Sequence, residues 1–318
     1  MMNKFTLWYR PTPFINKKCC LKMTDIQLNY SAKPKSAPAM FRALVLPRKG
    51  FNAAVGLPSI KATWTGAQAD QKALNDYLTT LSLEKGSNLP ILYPHVMAGS
   101  MHMNMLSHKA FPIRLLGSVH LKNRITQYKA IPVNSVMDLH SEIASYRLVE
   151  KGLEFDFTTV ATINGEKVWE EVSIYFQAGR FGGKTNPSEE KSFELDSLMD
   201  PEKIGSWNVP NNRGKKYAKI TGDYNPIHMS PLAAKLFGLK RDIAHGFGVL
   251  AEAIEYSDAI QKAGGDEKIL QVDVVFKGPV YLNNDVYLRQ NTQQNANRFD
   301  VFCGENPKPS ICVEVLAL

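Results

Sequence analysis

From residue 115 to 177 apolar and polar positions alternate with a period of two. The runs 115–127, 134–149 and 153–177 each place one side chain in two on a common face, as half-buried strands do. Residues 157–163 and 168–176 are rich in β-branched and aromatic side chains, and Asn164-Gly165 between them predicts a tight hairpin. The second half repeats the order. Residues 231–238 and 247–262 have helical spacing, with Val249, Leu250, Ile254 and Ile260 on the apolar side. Strand-like runs follow at 268–277, 279–289, 298–303 and 311–317, with turn chemistry at Asn283-Asn284 and Gly304-Glu305-Asn306. Each half therefore predicts a helix followed by about four antiparallel strands.

A faint echo supports a repeat. Tyr93-Pro94-His95-Val96-Met97 and Ile243-Ala244-His245-Gly246-Phe247 each precede a helical stretch, with comparable strand runs after them. The hydrophilic stretch GRFGGKTNPSEEK has the Gly, Pro, Ser and charge content of a linker. The expected division is a flexible extension at 1–38, a first unit at 39–178, a linker at 179–192 and a second unit at 193–318. Both units are read as α+β.

Composition narrows the function. The 318 residues are 44% hydrophobic and 21% charged, ordinary for a globular chain and long enough for two cores. No apolar run reaches the ~18 residues of a membrane span, so none is expected. The four cysteines, Cys19, Cys20, Cys303 and Cys312, form neither a disulfide framework nor a zinc spacing, which points to a reducing compartment and a cytoplasmic protein. The net charge of +8 is concentrated at one end: residues 1–50 hold ten Lys and Arg against the single acid Asp25. The body is close to neutral, so a nucleic-acid partner is not expected. Residues 1–22 lack the apolar core of a signal peptide, and Pro11 and Pro13 interrupt any long amphipathic helix. Met23 offers a second start, and residues 31–38 read as a flexible lead-in.

The densest chemistry lies at 217–228, YAKITGDYNPIH. Gly222 permits an unusual backbone angle, Asp223 and Asn225 form turns, and Pro226 fixes the chain direction. A tight turn would bring Asp223 and His228 together, and a carboxylate beside an imidazole can handle both protons of a hydration. The residues alone leave open a plain Asx turn in which His228 caps or packs.

Tyr217-x-x-Ile-Thr-Gly-Asp-x-Asn-Pro-Ile-His228 resembles the signature of the MaoC-like dehydratases, which include the R-specific enoyl-CoA hydratases. Gly238-Leu-x-x-x-Ile243-Ala-His-Gly246 resembles a second family element, with Leu239 at a usually aromatic position, and Phe276-Lys-Gly-Pro-Val280 also fits. The resemblance implies two tandem hot-dog units, each a central helix wrapped by an antiparallel sheet. It implies that Asp223 and His228 activate one water for addition to a trans-2-enoyl thioester, or for the reverse dehydration of an (R)-3-hydroxyacyl thioester. It also implies that Asn225 shapes the turn and that the Gly246 N–H binds the thioester carbonyl. A free N–H at a helix start suits an oxygen that gains charge in the transition state. His245 is read either as facing the ligand or as a cap. Phe247-Gly248 replace the usual Met and large residue, which bears on acyl preference.

The first half lacks the motif. A shift of 150 residues puts the Asp and His positions near Ala73 and Leu78, and Val96 stands in for the glycine, so this half is expected to be noncatalytic and to provide room for an acyl tail. His95, His102 and His108 lie among methionines. A metal site is the bolder reading, and a core helix is the plainer one that their spacing favours. Tyr217 and Trp207 read as packing residues. No phosphate loop, dinucleotide glycine motif or nucleophile elbow is present. The expected partner is an acyl thioester on CoA or acyl carrier protein, with no metal and no cofactor, and pairing into a homodimer is left open. The alternatives are a 3-hydroxyacyl carrier-protein dehydratase of fatty-acid synthesis and a noncatalytic acyl-thioester binder.

Overall fold

The computed structural model describes residues 25–115, 117–182, 193–291 and 297–318. In chain order the first half runs β1 (Ile26–Tyr30), α1 (Ser36–Val45), β2 (Ile60–Ala67), α2 (Gln71–Leu81), α3 (Tyr93–Leu106), β3 (Ser118–Gln127), β4 (Met137–Val149), β5 (Gly152–Ile163) and β6 (Glu166–Ala178). The second runs β7 (Glu202–Val209), α4 (Arg213–Thr221), α5 (Pro226–Met229), α6 (Pro231–Leu236), α7 (Gly246–Ser257), α8 (Ala259–Lys262), β8 (Leu270–Phe276), β9 (Asn284–Gln290), β10 (Arg298–Cys303) and β11 (Ile311–Ala317).

All eleven strands form one sheet, in the order β1-β2-β4-β5-β6-β3-β8-β11-β10-β9-β7. Counted outward from the β3–β8 junction, the two halves have the same connectivity. β3, β6, β5, β4 and β2 on one side answer to β8, β11, β10, β9 and β7 on the other. In each half a strand precedes the central helix and four antiparallel strands follow it, the last three as a meander and the first crossing over to lie beside the last. The buried helices α3 and α7 are the two central helices, and the sheet wraps both. This is the tandem helix-on-sheet arrangement implied by the motifs.

Local chemistry accounts for the elements. The β5–β6 hairpin turns at Asn164 (φ 51°) and Gly165 (φ 81°), the two positive angles a type I′ turn requires. On β6 the pleat sends Trp169, Glu171 and Ser173 inward. On α3, Met97, Met101 and Met105 are buried one turn apart, so the methionine stripe is core. The expected helix at 247–262 breaks at Asp258 (φ 55°), which separates α7 from α8. The expected strand at 279–289 becomes β9 only at Asn284, because residues before it bridge to the site loop through Ile243 and Tyr281.

The N-terminal boundary differs from the sequence expectation. Residues 26–30 are not a flexible extension but a strand, paired in parallel with β2, and a helix starts at Ser36. Alternation in β1 is only five residues long, and its edge position leaves every second residue exposed. The expected linker falls largely on 183–192, and residues 1–24, with Cys19 and Cys20, also lie outside the described residues. Strands β2 and β7 escaped the sequence reading because their outward faces mix Lys, Thr, Gly and Ser. No helix among the described residues is long and apolar enough to cross a membrane.

The halves are joined by antiparallel pairing of Lys122–Gln127 with Leu270–Val275. Arg124 sits opposite Asp273 there and donates from Nε and Nη2 to the two carboxylate oxygens, both at 2.7 Å. The guanidinium remains 40% exposed, so solvent screens part of the interaction. Asp273→Ala should lower the stability of the chain by about 1–2 kcal/mol in urea unfolding. An unchanged midpoint would show that the junction does not use this pair.

Candidate functional site

The site begins where α4 stops. Gly222 ends the helix in the left-handed region (φ 80°), and its N–H returns to Ala218 O at 2.7 Å. A β-carbon at Gly222 would also collide with Ser36. The chain then turns through a ladder of short-range bonds. Thr221 Oγ1 accepts from Asp223 N–H at 3.2 Å, Asp223 Oδ1 accepts from Asn225 N–H at 3.1 Å, and Asn225 Oδ1 accepts from Ile227 N–H at 3.4 Å. Asn225 is thereby the N-cap of α5, with Pro226 at its first position. Its side-chain oxygen builds the turn.

His228 is 8% exposed, and its Nδ1–H donates to Ile243 O at 2.9 Å. That bond leaves the lone pair on Nε2. His245, 6% exposed, donates from Nε2–H to Asp223 O at 3.0 Å and stacks on His228 with centroids 3.7 Å apart. It makes no cap hydrogen bond, so of the two sequence readings for this residue the cap is set aside. Its Nδ1 is buried without a partner. Asp223 Oδ2 lies 3.7 Å from His245 Nε2, and its side chain, 41% exposed, reaches solvent. One donor atom from each of Asp223, His228 and His245 falls within 4.8 Å of the others.

The start of α7 completes the arrangement. No side chain caps Gly246, so the first N–H groups of a buried helix are left to whatever occupies the site. A β-carbon at Gly246 would stand 2.8 Å from Phe276 Cε1, so a larger residue would force that ring to shift. The turn is pinned by Ile243 N–H to Ile227 O at 3.1 Å and Ala244 N–H to Val280 O at 2.8 Å.

Burial sets the charge states. It lowers the His228 pKa from the ordinary 6.5, against the opposing charge of Asp223 and the Ile243 bond. It lowers His245 to about 3, helped by the stacked His228. Both rings are neutral near pH 7. What the arrangement offers is a carboxylate, a neutral imidazole nitrogen and a helix N-terminus around one point.

The first half supplies a wall beside this point. Phe247 stacks on His95 at 3.8 Å and faces His120 at 5.2 Å, and His120 stacks on Tyr175 at 4.6 Å. Behind them His95 Nδ1–H donates to Glu171 Oε2 at 2.7 Å, Asn123 donates to the same oxygen at 3.0 Å, and His102 bonds Thr159 at 2.7 Å. Burial raises the Glu171 pKa, but the charge and hydrogen bond of His95, with His102 and Asn123, outweigh it and hold it at about 2. Thus two of the three histidines from the methionine stretch converge, and His108 lies beyond the end of α3. Among the described residues two groups have donor types and spacing that a cation could use: His95, His102 and Glu171, and Asp223, His228 and His245.

Topology corrects the internal alignment. α2 ends at Ser82 in the left-handed region (φ 55°), as α4 ends at Gly222, so the counterparts of Asp223 and His228 are Leu83 and Asn88. Ala73 lies inside α2 and Leu78 on its buried face. The first half has no carboxylate–imidazole pair at the matching turn.

Several residues escaped the sequence reading. Gly214, in the first turn of α4, lies so close to His228 O that no β-carbon fits. Glu252 of α7 is buried between Arg213 and Trp207 Nε1, the latter at 3.1 Å, and ties α4 and β7 to the central helix. Glu171 had a signal, since it shares the inward phase of β6 with Trp169 and Ser173. Gly214 had none, because its contact is made across a turn of variable shape.

Comparison with known proteins came to the same region. The family described as MaoC like domain matches residues 200–313. The chain is 27% identical over 205 residues to 3-hydroxyacyl-thioester dehydratase X of Mycobacterium tuberculosis, covering 64% of this chain and 71% of that protein. Among solved structures, a MaoC-like dehydratase from Phytophthora capsici superposes with a TM-score of 0.70 at 17% identity, over 84% of this chain and 98% of its own. A Mycobacterium tuberculosis protein described as having a double hotdog fold superposes with a TM-score of 0.52 at 9% identity, over 80% of this chain and 95% of its own. These likenesses fix the fold as a double hot-dog.

The buried neutral rings have a measurable consequence. His245 (about 3), His102 (about 4) and His120 (about 3) lie below their unfolded value of 6.5, so the unfolded chain binds more protons in that interval. Their contribution to stability is complete above pH 6.5 and is lost as pH falls toward 3. The melting temperature should therefore drop steadily from pH 6.5 to 4, and NMR titration should show His245 unprotonated at pH 5. A ring titrating near 6.5 would contradict the packing described.

Proposed function

With residues 200–313 a MaoC-like domain, we propose that the chain is a hydro-lyase that adds water across a trans-2-enoyl thioester to give the (R)-3-hydroxyacyl thioester, and catalyses the reverse dehydration. One observation carries the reading: the Asp223 carboxylate, the free Nε2 of His228 and the uncapped start of α7 at Gly246 meet at one place.

The chemistry follows from the donors and acceptors present. Asp223 and His228 Nε2 are both acceptors, so a water between them directs both protons to the protein and its lone pair outward. That lone pair attacks C3 of the enoyl group while one acceptor takes a proton. Electrons move from the C2–C3 double bond onto the thioester oxygen, where the Gly246 N–H and the positive end of α7 stabilise the charge. Collapse of the enolate with protonation at C2 completes the addition of one water. The proton that the dyad takes from water is returned to C2, the second proton stays on the new hydroxyl, and no metal or cofactor enters the scheme. His245 holds the Asp223 backbone carbonyl and keeps the acid in place.

The first half serves as the partner of a dimer built into one chain. It packs His95, His120 and Tyr175 around Phe247, beside the oxyanion position, where an acyl chain leaving the site would run. Free, buried Cys303 and Cys312 support a reducing compartment such as the cytoplasm.

Loss of the enoyl-thioester absorbance band, followed with crotonyl-, octenoyl- and dodecenoyl-CoA, tests the reading. Asp223→Asn or His228→Gln should each lower kcat/KM by about 10²–10⁴-fold. No loss of the band with any CoA or carrier-protein ester would overturn it, and binding without turnover would identify a thioester binder instead.

A pH profile adds a second check. Because the His228 pKa is lowered by burial, the imidazole stays competent as an acceptor below its ordinary 6.5. The acidic limb of kcat/KM that depends on His228 should therefore fall below pH 6.5, and its disappearance or shift in His228→Gln would assign it. A limb above 6.5 would contradict the assignment.

A further inference from the structure

Outside the site, one group of cations has no acid paired with it among the described residues. Helix α1 starts against the catalytic turn, with Ser36 packed on Gly222, and then crosses the C-terminal end of α3. Arg42 Nη2 donates to Asn104 Oδ1 at 2.8 Å and to Ser107 Oγ at 3.2 Å. Arg48 Nη1 donates to His108 O at 2.6 Å and Phe111 O at 3.3 Å. An open cavity of about 290 Å³ lies between these elements and β1, lined by Tyr30, Arg42, Asn104, His108 and Lys109 among others. Its lining includes no carboxylate.

Carbonyl groups at the end of α3 account for only part of this charge. One nitrogen of Arg48 is satisfied there, while its Nε and Nη2 are buried with no acceptor. Among the described residues neither guanidinium nor Lys109 forms an ion pair. The His108 ring feels the same excess: burial and then Lys109, Arg42 and Arg48 lower its pKa. Its Nδ1 accepts from Ala110 N–H at 3.3 Å, which leaves an Nε2–H donor. Arg42, Lys109 and the His108 donor line the cavity, and Arg48 bonds the His108 carbonyl next to it; this group is complementary to a multiply charged anion.

Position says which anion. Arg42 lies six residues along α1 from Ser36, about 9 Å at ~1.5 Å per residue. The cavity thus lies about two turns along α1 from the contact with Gly222, the neighbour of the half-exposed Asp223, within the span of an extended pantetheine arm. A carrier protein would bring a single phosphodiester on that arm. Coenzyme A brings a diphosphate and a 3′-phosphate, which match a group of three cations.

We propose that this cavity, with Arg42 and Lys109 in its lining and Arg48 beside His108, binds the nucleotide phosphates of a coenzyme A thioester whose acyl group is held at Asp223. The assignment rests on the hydro-lyase reading and adds its carrier. The sequence reading left the phosphate-binding residues unnamed, because positions 42, 48 and 109 meet only when α1 lies across α3.

Two measurements on the full chain test it. Calorimetric titration with adenosine 3′,5′-bisphosphate, and separately with inorganic phosphate, would be run on wild type, Lys109→Gln and Arg48→Met. The ratio of kcat/KM for crotonyl-CoA to that for crotonyl-pantetheine would be taken for the same proteins. The expected result is that either variant weakens bisphosphate binding about tenfold and lowers the ratio by a similar factor. Lys109 is exposed, so its variant tests the cavity even where Arg48→Met disturbs α1. Equal bisphosphate binding in all three proteins, or an unchanged ratio, overturns the proposal and leaves the hydro-lyase reading standing. Inorganic phosphate bound as tightly as the bisphosphate, or a carrier-protein ester turned over in preference to the CoA ester, overturns the choice of coenzyme A. Bisphosphate binding lost in the variants of a protein that turns over no enoyl thioester would keep the anion site and remove the hydro-lyase reading.

Discussion

Everything in this molecule depends on the antiparallel pairing of β3 with β8. Each half has a sheet with one apolar face and a single buried central helix, and neither half alone closes its core. Pairing Lys122–Gln127 with Leu270–Val275 makes the two sheets continuous and brings α3 and α7 into one hydrophobic core. Matching strand order on both sides of the junction places it at the axis of an approximate two-fold. The Asp223–His228 turn and the start of α7 belong to the second half, but the aromatic wall beside them is built by β3, β6 and α3 of the first. Residues of both copies of the fold thus surround the place where Asp223 and His228 meet, although only the second copy carries that pair.

Within the second half, geometry is imposed mainly by the backbone. The dyad sits on a turn that cannot extend α4, because Gly222 is left-handed and Pro226 opens the next helix. The two site histidines each give one ring N–H to a backbone carbonyl, His228 to Ile243 and His245 to Asp223. Those bonds choose the tautomers. Dense packing excludes a second protonation, since two stacked imidazolium rings in a buried site would lack both solvent and partners. Neutrality of His228 follows from where it is placed, and so does the direction of its free lone pair. Gly214 against His228 O and Gly246 against Phe276 hold the two sides of the site at contact distance.

Much of this was legible in the sequence, and the exceptions have definite causes. The meander of the first half followed from period-two alternation and Asn164-Gly165, because both signals are local. The segment 217–228 announced its turn through glycine, Asx residues and proline, again local chemistry. What failed was nonlocal or weakly patterned. Strand β1 is short and lies at an edge, so it read as a lead-in, although pairing with β2 orders it. The half-repeat was seen, but a fixed offset of 150 residues hid an insertion: the helix ends at Ser82 and Gly222 are ten residues closer together than His95 and His245 are. His95 and His102 were visible as a pair two helical turns apart. Their partner Glu171 comes from a strand about seventy positions later, and its importance depends on the inward phase of β6.

The divergence of the halves follows from the same constraint. Once both central helices share one core, the two turns after α2 and α4 no longer face equivalent surroundings, and only one need keep a carboxylate and an imidazole. The turn with Leu83 and Asn88 has neither group, while His95 at the start of α3 bonds the buried carboxylate of Glu171 on β6. A buried carboxylate costs stability unless it is fully compensated, and here Oε2 accepts from His95 and Asn123 while Oε1 makes no hydrogen bond and lies 3.8 Å from His102 Nε2. The first half therefore carries polar groups that a purely structural partner would not require, placed behind the ring of Phe247. Simple hydrocarbon packing would fill that space with aliphatic side chains, as the core around Met97, Met101 and Met105 does. The polar cluster instead fixes the orientation of the His95 ring through its bond to Glu171, and that ring sets the position of Phe247 next to Gly246. The half without the dyad thus acts on the half that has it through the placement of one aromatic ring.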